Sequence, residues 1–185
     1  MAATLILPAF RFEVTLLRSA DIVAGAQSPP GAPDEPPATG GTPLVPGDWS
    51  GAFQECGGLE IEMDVQEYQE GGRNDGTIRR VGRAKFAPLV LKRGMFHGSE
   101  ASAAAAPELW QWLQDIVNGV RPVRRYDGVV RVMSADGHVR ATWTFDRGLP
   151  SKIRGPALDG KSGEVAIEEL TIQHEGLRLM PPESA

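Results

Sequence analysis

Apolar and polar residues alternate one for one along several stretches of this chain, the period expected of strands with one face on a core. Phe10, Phe12 and Val14 alternate with Arg11 and Glu13, which predicts a first strand over about residues 9–17. In GLEIEMDVQEY, residues 58–68, Ile61, Met63 and Val65 take one parity, and Glu60, Glu62, Asp64 and Gln66 take the other. RAKFAPLVLKR, residues 83–93, reads as the returning strand, with Pro88 marking an edge or a bulge because proline donates no ladder hydrogen bond. Together they predict a long hairpin, and Gly71-Gly72 and Asn74-Asp75-Gly76 at its far end supply the residues of a reversal with positive φ.

The period changes once. In PELWQWLQDIVNGV, residues 107–120, Leu109, Trp112, Leu113, Ile116 and Val120 fall on one helical face, with Pro107 suited to the first turn and Gly119 to the end. Trp110 and Trp112 among aliphatics point to packing against a sheet, not to a ligand cage. GVVRVMS and HVRATWTF flank Ala135-Asp136-Gly137 as a second hairpin. In GEVAIEELTIQHEG, residues 163–176, Val165 and Ile167 share one parity and Leu170 and Ile172 the other, so a β-bulge is expected near Glu168-Glu169. Six to eight strands with one helix, and no βα repeat, predict a mainly β fold: an antiparallel barrel or sandwich with a helix packed on it.

Composition adds the domain plan. The 185 residues suit one domain, 1–185, and residues 25–47 form a Pro/Gly-rich loop with seven prolines and five glycines, a density incompatible with helix or central strand. The 24 residues before it are too few for a core of their own. A 41% hydrophobic and 23% charged composition is that of a globular chain, and a net charge of −5 disfavours non-specific binding to nucleic acid. No stretch approaches the roughly 18 apolar residues of a membrane span, and the first residues lack the basic start of a secretion signal, so cytoplasmic folding is expected.

Candidate chemistry is sparse. Cys56 is the single cysteine, so no intrachain disulfide forms, and His97, His138 and His174 stand far apart without a metal-ligand spacing. No Gly-rich phosphate loop follows a strand and opens a helix. Glu60, Glu62, Asp64, Glu67 and Glu70 include pairs that a glycosidase could use, but a row of acids on one strand face is ordinarily a solvated face. Arg79, Arg80, Arg83 and Lys85 form a basic cluster without interleaved aromatics, which argues against single-stranded nucleic acid. An acidic strand and a basic segment on one chain can also serve contacts between identical copies.

GAFQECGGLEIEMDVQEYQEGGRNDG, RRVGRAKFAPLVLKRGM, ELWQWL and EVAIEELTIQHEGL, in this order, resemble the tail-tube proteins of contractile phage tails and phage-tail-like injection systems. The resemblance spans nearly all of residues 51–179, and FRFEV fits the family's first strand. The Pro-rich stretch is an insertion relative to compact members, and Cys56 stands where the family usually has another small residue. The resemblance implies a fold of the Hcp and tail-tube kind and a structural subunit without catalysis or cofactor. Six copies would close into a ring, and rings would stack into a hollow tube. Partners would be further copies of itself, a sheath protein, baseplate or tube-initiator and tail-terminator proteins, and cargo or DNA passing through the lumen. Assembly would occur in the bacterial cytoplasm, within a phage tail or an injection particle that is retained or released.

The resemblance also assigns residues. Ile61, Met63 and Val65 would face the subunit core, and Glu60, Glu62, Asp64 and Gln66 the lumen, as a negative wall repelling acidic cargo. Tyr68, Glu70, Gly71, Gly72, Arg73, Asn74, Asp75, Gly76, Arg79, Arg80 and Arg83 would belong to a flexible loop contacting neighbouring subunits or the next ring. Alternatives are a specialised relative that initiates or caps the tube or contacts the baseplate, a monomeric β-barrel binding module using the Pro-rich loop, and an enzyme with Glu60, Glu62 or Asp64 as acid and base.

Overall fold

A computed structural model of the chain describes residues 11–19, 44, 53–72, 76–95, 108–158, 161 and 165–181. Along them run β1 (Phe12–Arg18), β2 (Phe53–Gly57), β3 (Ile61–Tyr68), β4 (Ile78–Phe86), β5 (Leu89–Gly94), α1 (Glu108–Val117), β6 (Tyr126–Met133), β7 (Val139–Arg154), β8 (Ile167–Gln173) and β9 (Gly176–Met180). The Pro-rich insertion, apart from Leu44, and His97 and Pro107 lie outside the described residues.

Every described strand pairing is antiparallel. The 16 residues of β7 serve two layers. Its first part pairs with β6 on one side and β9 on the other, and residues 149–154 pair with β8. The turn between the parts is made at Arg147, whose φ is 55°, and is held by Asp127, whose carboxylate accepts from the Arg147 backbone N–H at 2.7 Å. One layer is therefore β1-β6-β7-β9 and the other β7-β8-β5-β2. The two layers bury one shared core: Val14, Leu16, Tyr126, Val130, Phe145 and Leu177 from the first, and Phe53, Leu89, Leu91, Leu170 and Ile172 from the second. β1 and β2, at the ends of the sheet path, do not pair with each other, so among the described residues the sandwich is open.

Phe145 sits at the centre of this core, and Gly128 on β6 is what admits its ring. A Cβ at Gly128 would lie 1.9 Å from the Phe145 ring, so no side chain fits there.

α1 packs on β7 and buries Leu109 and Trp112. Trp112 stacks edge-on against Tyr126 at 4.8 Å and donates from Nε1 to the Arg124 carbonyl at 2.9 Å. The helix ends as its sequence predicts. Gly119 takes φ 79°, the Val120 N–H bonds the Asp115 carbonyl at 2.9 Å, and the Gly119 N–H bonds the Ile116 carbonyl at 3.1 Å, a Schellman closure. Val120 lies beyond the helix and is exposed, which shortens the predicted apolar face by one residue.

The bulge expected at Glu168-Glu169 is absent. β8 pairs with β5 in unbroken register from Ile167 to Ile172, and Glu168 takes a core-facing position with Leu170 and Ile172. It is buried because Arg93 of β5, directly opposite, pairs with it, and because Trp110 of α1 donates to its second oxygen at 2.8 Å. Val165 and Ile167 point outward instead. The parity change is a charge in the core.

Candidate assembly surface

β2 and β3 run out, and β4 and β5 run back, as one long antiparallel hairpin interrupted at Gly58–Glu60 and Ala87-Pro88. The Ala87 N–H bridges the interruption by donating to the Glu60 carbonyl at 3.2 Å. Gly58 has φ 86°, and a Cβ there would lie 2.0 Å from the Pro88 carbonyl oxygen, so glycine alone allows the two chains to pass this closely. Below the break β2 and β5 belong to the sandwich. Above it β3 and β4 form their own two-stranded sheet, an arm of eight residues that reaches roughly 26 Å at the ordinary rise of a strand.

The register gives the arm two faces. Ile61 opposes Phe86, Met63 opposes Ala84, and Val65 opposes Val81. Between Met63 and Val65 the register shifts, with Asp64 set against Gly82 and Arg83, a bulge that twists the arm. The first face is apolar and uncovered: Ile61 is 52% exposed, Met63 45%, Val65 59% and Val81 78%. The expectation that Ile61, Met63 and Val65 face the subunit's own core is thus corrected. Alternation fixes that they share a face, and among the described residues no layer lies over that face.

The other face carries Glu62, Asp64 and Gln66, paired across the strands with Lys85 and Arg80. Lys85 bonds Asp64 at 2.7 Å, and its ammonium is held above the ordinary lysine range, chiefly by Asp64. Near the tip Arg79 bonds Glu67 at 3.2 Å, and the Arg80 guanidinium lies 5.1 Å from the centre of the Tyr68 ring. The described arm with its flanks holds five carboxylates (Glu60, Glu62, Asp64, Glu67, Glu70) and four cations (Arg79, Arg80, Arg83, Lys85). The acidic row seen in the sequence is a surface of both signs, because the basic cluster is its cross-strand partner. Glu60 lies at the arm's root, and Glu70, Gly71, Gly72 and Gly76 lie exposed past the strand ends, while Arg73, Asn74 and Asp75 are outside the described residues. Tyr68, Arg79, Arg80 and Arg83 lie in the formed strands Ile61–Tyr68 and Ile78–Phe86, not in a loop as expected.

At the root, Leu59 and Phe86 pack on the core edge. Cys56, on β2, has its thiol pushed up to about 11 by burial, which removes it as a nucleophile near neutral pH. Among the described residues no three of His, Cys, Asp and Glu gather as a metal would require, and no helix is long and apolar enough to cross a membrane.

Residues 8–178 match the family described as T4-like virus tail tube protein gp19. The chain belongs to this family. No curated protein sequence matches it. Among solved structures, a chain of the anti-feeding prophage baseplate, described as six-fold symmetrised, superimposes with a TM-score of 0.69 at 20% identity, covering 100% of both chains. A chain of the PVC extracellular contractile injection system sheath-tube complex in its extended state gives 0.65 at 20% identity, over 95% of this chain and 91% of the other. A chain of the PVC sheath/tube terminator gives 0.67 at 19% identity, over 97% and 100%. These likenesses show a shared tail-tube fold.

Proposed function

We propose that this chain is the inner-tube subunit of a contractile phage tail or phage-tail-like injection system, six copies closing into a ring and rings stacking into a hollow tube. The carrying observation is the arm. A two-stranded hairpin is marginal by itself in water, and this one holds four large apolar side chains about half or more exposed on a single face. A second copy that covers this face gains about 1 kcal/mol for each of them, repeated at every contact around a ring. Membership of the tail-tube family supports the tube, and the similarity to a chain of a six-fold symmetrised prophage baseplate supports six copies. Sheath, baseplate and terminator proteins are the partners of such a subunit, and DNA or protein cargo is what its channel would conduct.

With the apolar side against a sister copy, the side bearing Glu62, Asp64 and Gln66, with Glu60 at its root, faces the channel. Its mixed charge with a small acidic excess gives cargo little to adhere to. Tyr68, Arg79, Arg80, Arg83 and the tip reach the neighbouring copy or ring. One observation favours a second wall. The β7-β8-β5-β2 layer has unpaired outer edges at β2 and at residues 149–154 among the described residues, and its outward side carries the Glu55–Lys92 pair at 2.8 Å. If these edges joined from copy to copy, that side would line the channel. Reversing charge at Glu62 and Asp64, and separately at Glu55 and Lys92, distinguishes the two walls by which pair alters delivery.

The reading is tested by electron microscopy and sedimentation of the purified chain. Rings or tubes are expected, and a monodisperse compact monomer at all concentrations would overturn it.

A further inference from the structure

His174 lies where the arm meets the sandwich, just after β8. Its Nε2 is 3.0 Å from the Ala87 carbonyl oxygen, at the break between β4 and β5. Its ring lies between Phe86, the last residue of the arm, at 5.7 Å, and Phe145 of the central core at 5.4 Å. A carbonyl only accepts, so Nε2 carries the proton; Nδ1 is then bare, and it is buried without a hydrogen-bond partner. The ring touches the arm's backbone, the arm's terminal aromatic and the deepest aromatic of the body together.

We propose that His174 is a positioning residue that latches the arm at its assembly angle and releases it when the imidazole is protonated. A second proton would go to Nδ1, which is buried beside two phenyl rings and makes no hydrogen bond. The charged groups around it are few. From β7 comes Asp146, already paired with Arg178 of β9 at 2.7 Å. Glu175, the next residue, is taken by Arg125 at 2.6 Å and Arg147 at 2.8 Å. From the β4–β5 side the contacts among the described residues are the Phe86 ring and the Ala87 backbone. Burial lowers the affinity of His174 for a proton below its usual 6.5, with the Gly176 and Ala87 backbones and Asp146 opposing in part.

The sign follows from the released state binding the proton more readily than the latched state. Latching is fully favourable above the unperturbed value near 6.5. It weakens as the pH falls below that value, and the weakening is complete once the pH is below the latched-state value.

The inference rests on the arm being the assembly element, but its test uses the unassembled chain and so stands apart from tube formation. Nitroxides at Gln66→Cys and Gln111→Cys, in a Cys56→Ser background, report the arm-to-body distance by pulsed electron resonance. A narrow distribution is expected at pH about 7.5 and loss of the narrow peak at about 5.5. His174→Gln, which can still donate to Ala87 but does not titrate, keeps the peak at both values. His174→Phe, which stacks but cannot donate, loses it at both. NMR titration of the wild-type ring gives an independent measure and is expected to show an Nε2–H tautomer titrating below the usual histidine range. An acid-insensitive wild-type distance, an acid-sensitive His174→Gln, a latched His174→Phe or a ring titrating at or above the usual value each overturns the proposal.

Discussion

Glu168 shows what a single residue can hide in a pattern of alternation. Its parity change looks like a slipped strand, because a charged side chain is seldom found at a core position. The structure keeps the strand regular and buries the charge against Arg93 and the Trp110 indole. Nothing in the local sequence names Arg93 as the partner, since 75 residues separate the two. Breaking such a pair leaves an uncompensated buried charge, so Glu168→Leu alone is expected to lower stability by about 3–5 kcal/mol in urea unfolding, and the double change with Arg93→Met by much less. Gly128→Ala should cost about 1–3 kcal/mol or prevent folding, because the Phe145 ring occupies the space its methyl needs. Cys56 should resist iodoacetamide in the folded chain at pH about 7 and react in denaturant, since a thiol at about 11 is almost wholly protonated there.

At the scale of elements, the long hairpin was legible: alternation on the outgoing strand, Gly and Asn at the far end, and Pro88 at the interruption, although the returning strand begins at Ile78 and not at Arg83. The helix and its glycine closure were legible too, because capping is local chemistry. What covers a strand face is not local. Ile61, Met63 and Val65 read as core by their chemistry, yet they are exposed, and the proposed contact with a second copy would account for their apolar character. Substituting Ile61→Ser with Val65→Ser should leave stability within about 1 kcal/mol by thermal unfolding, because both are largely exposed, while abolishing pelletable assemblies. A large loss of stability in the isolated chain would mean that the stripe packs internally. Deleting residues 70–78 removes the tip and should give a folded subunit that does not stack, read by circular dichroism beside sedimentation. The second part of β7 and the whole of β9 were not foreseen, since Gly148 and Pro150 break the pattern and the last strand is only five residues long.

For the whole molecule, alternation and the lack of βα repeats were enough to forecast an antiparallel β subunit with one helix. They could not decide between barrel and sandwich, because closure depends on which edges meet. The described sheet leaves edges open at both ends of its path, and the arm stands free of both layers. Open edges among the described residues, a protruding apolar stripe and an opposite face of mixed charge are the features on which the proposed repetition rests. The most direct measurement is a high-resolution reconstruction of the assembled chain. It should show a closed ring in which Ile61, Met63, Val65 and Val81 are buried against a sister copy. An assembly in which that stripe remains in solvent, or lies beneath an unrelated protein, would contradict the account.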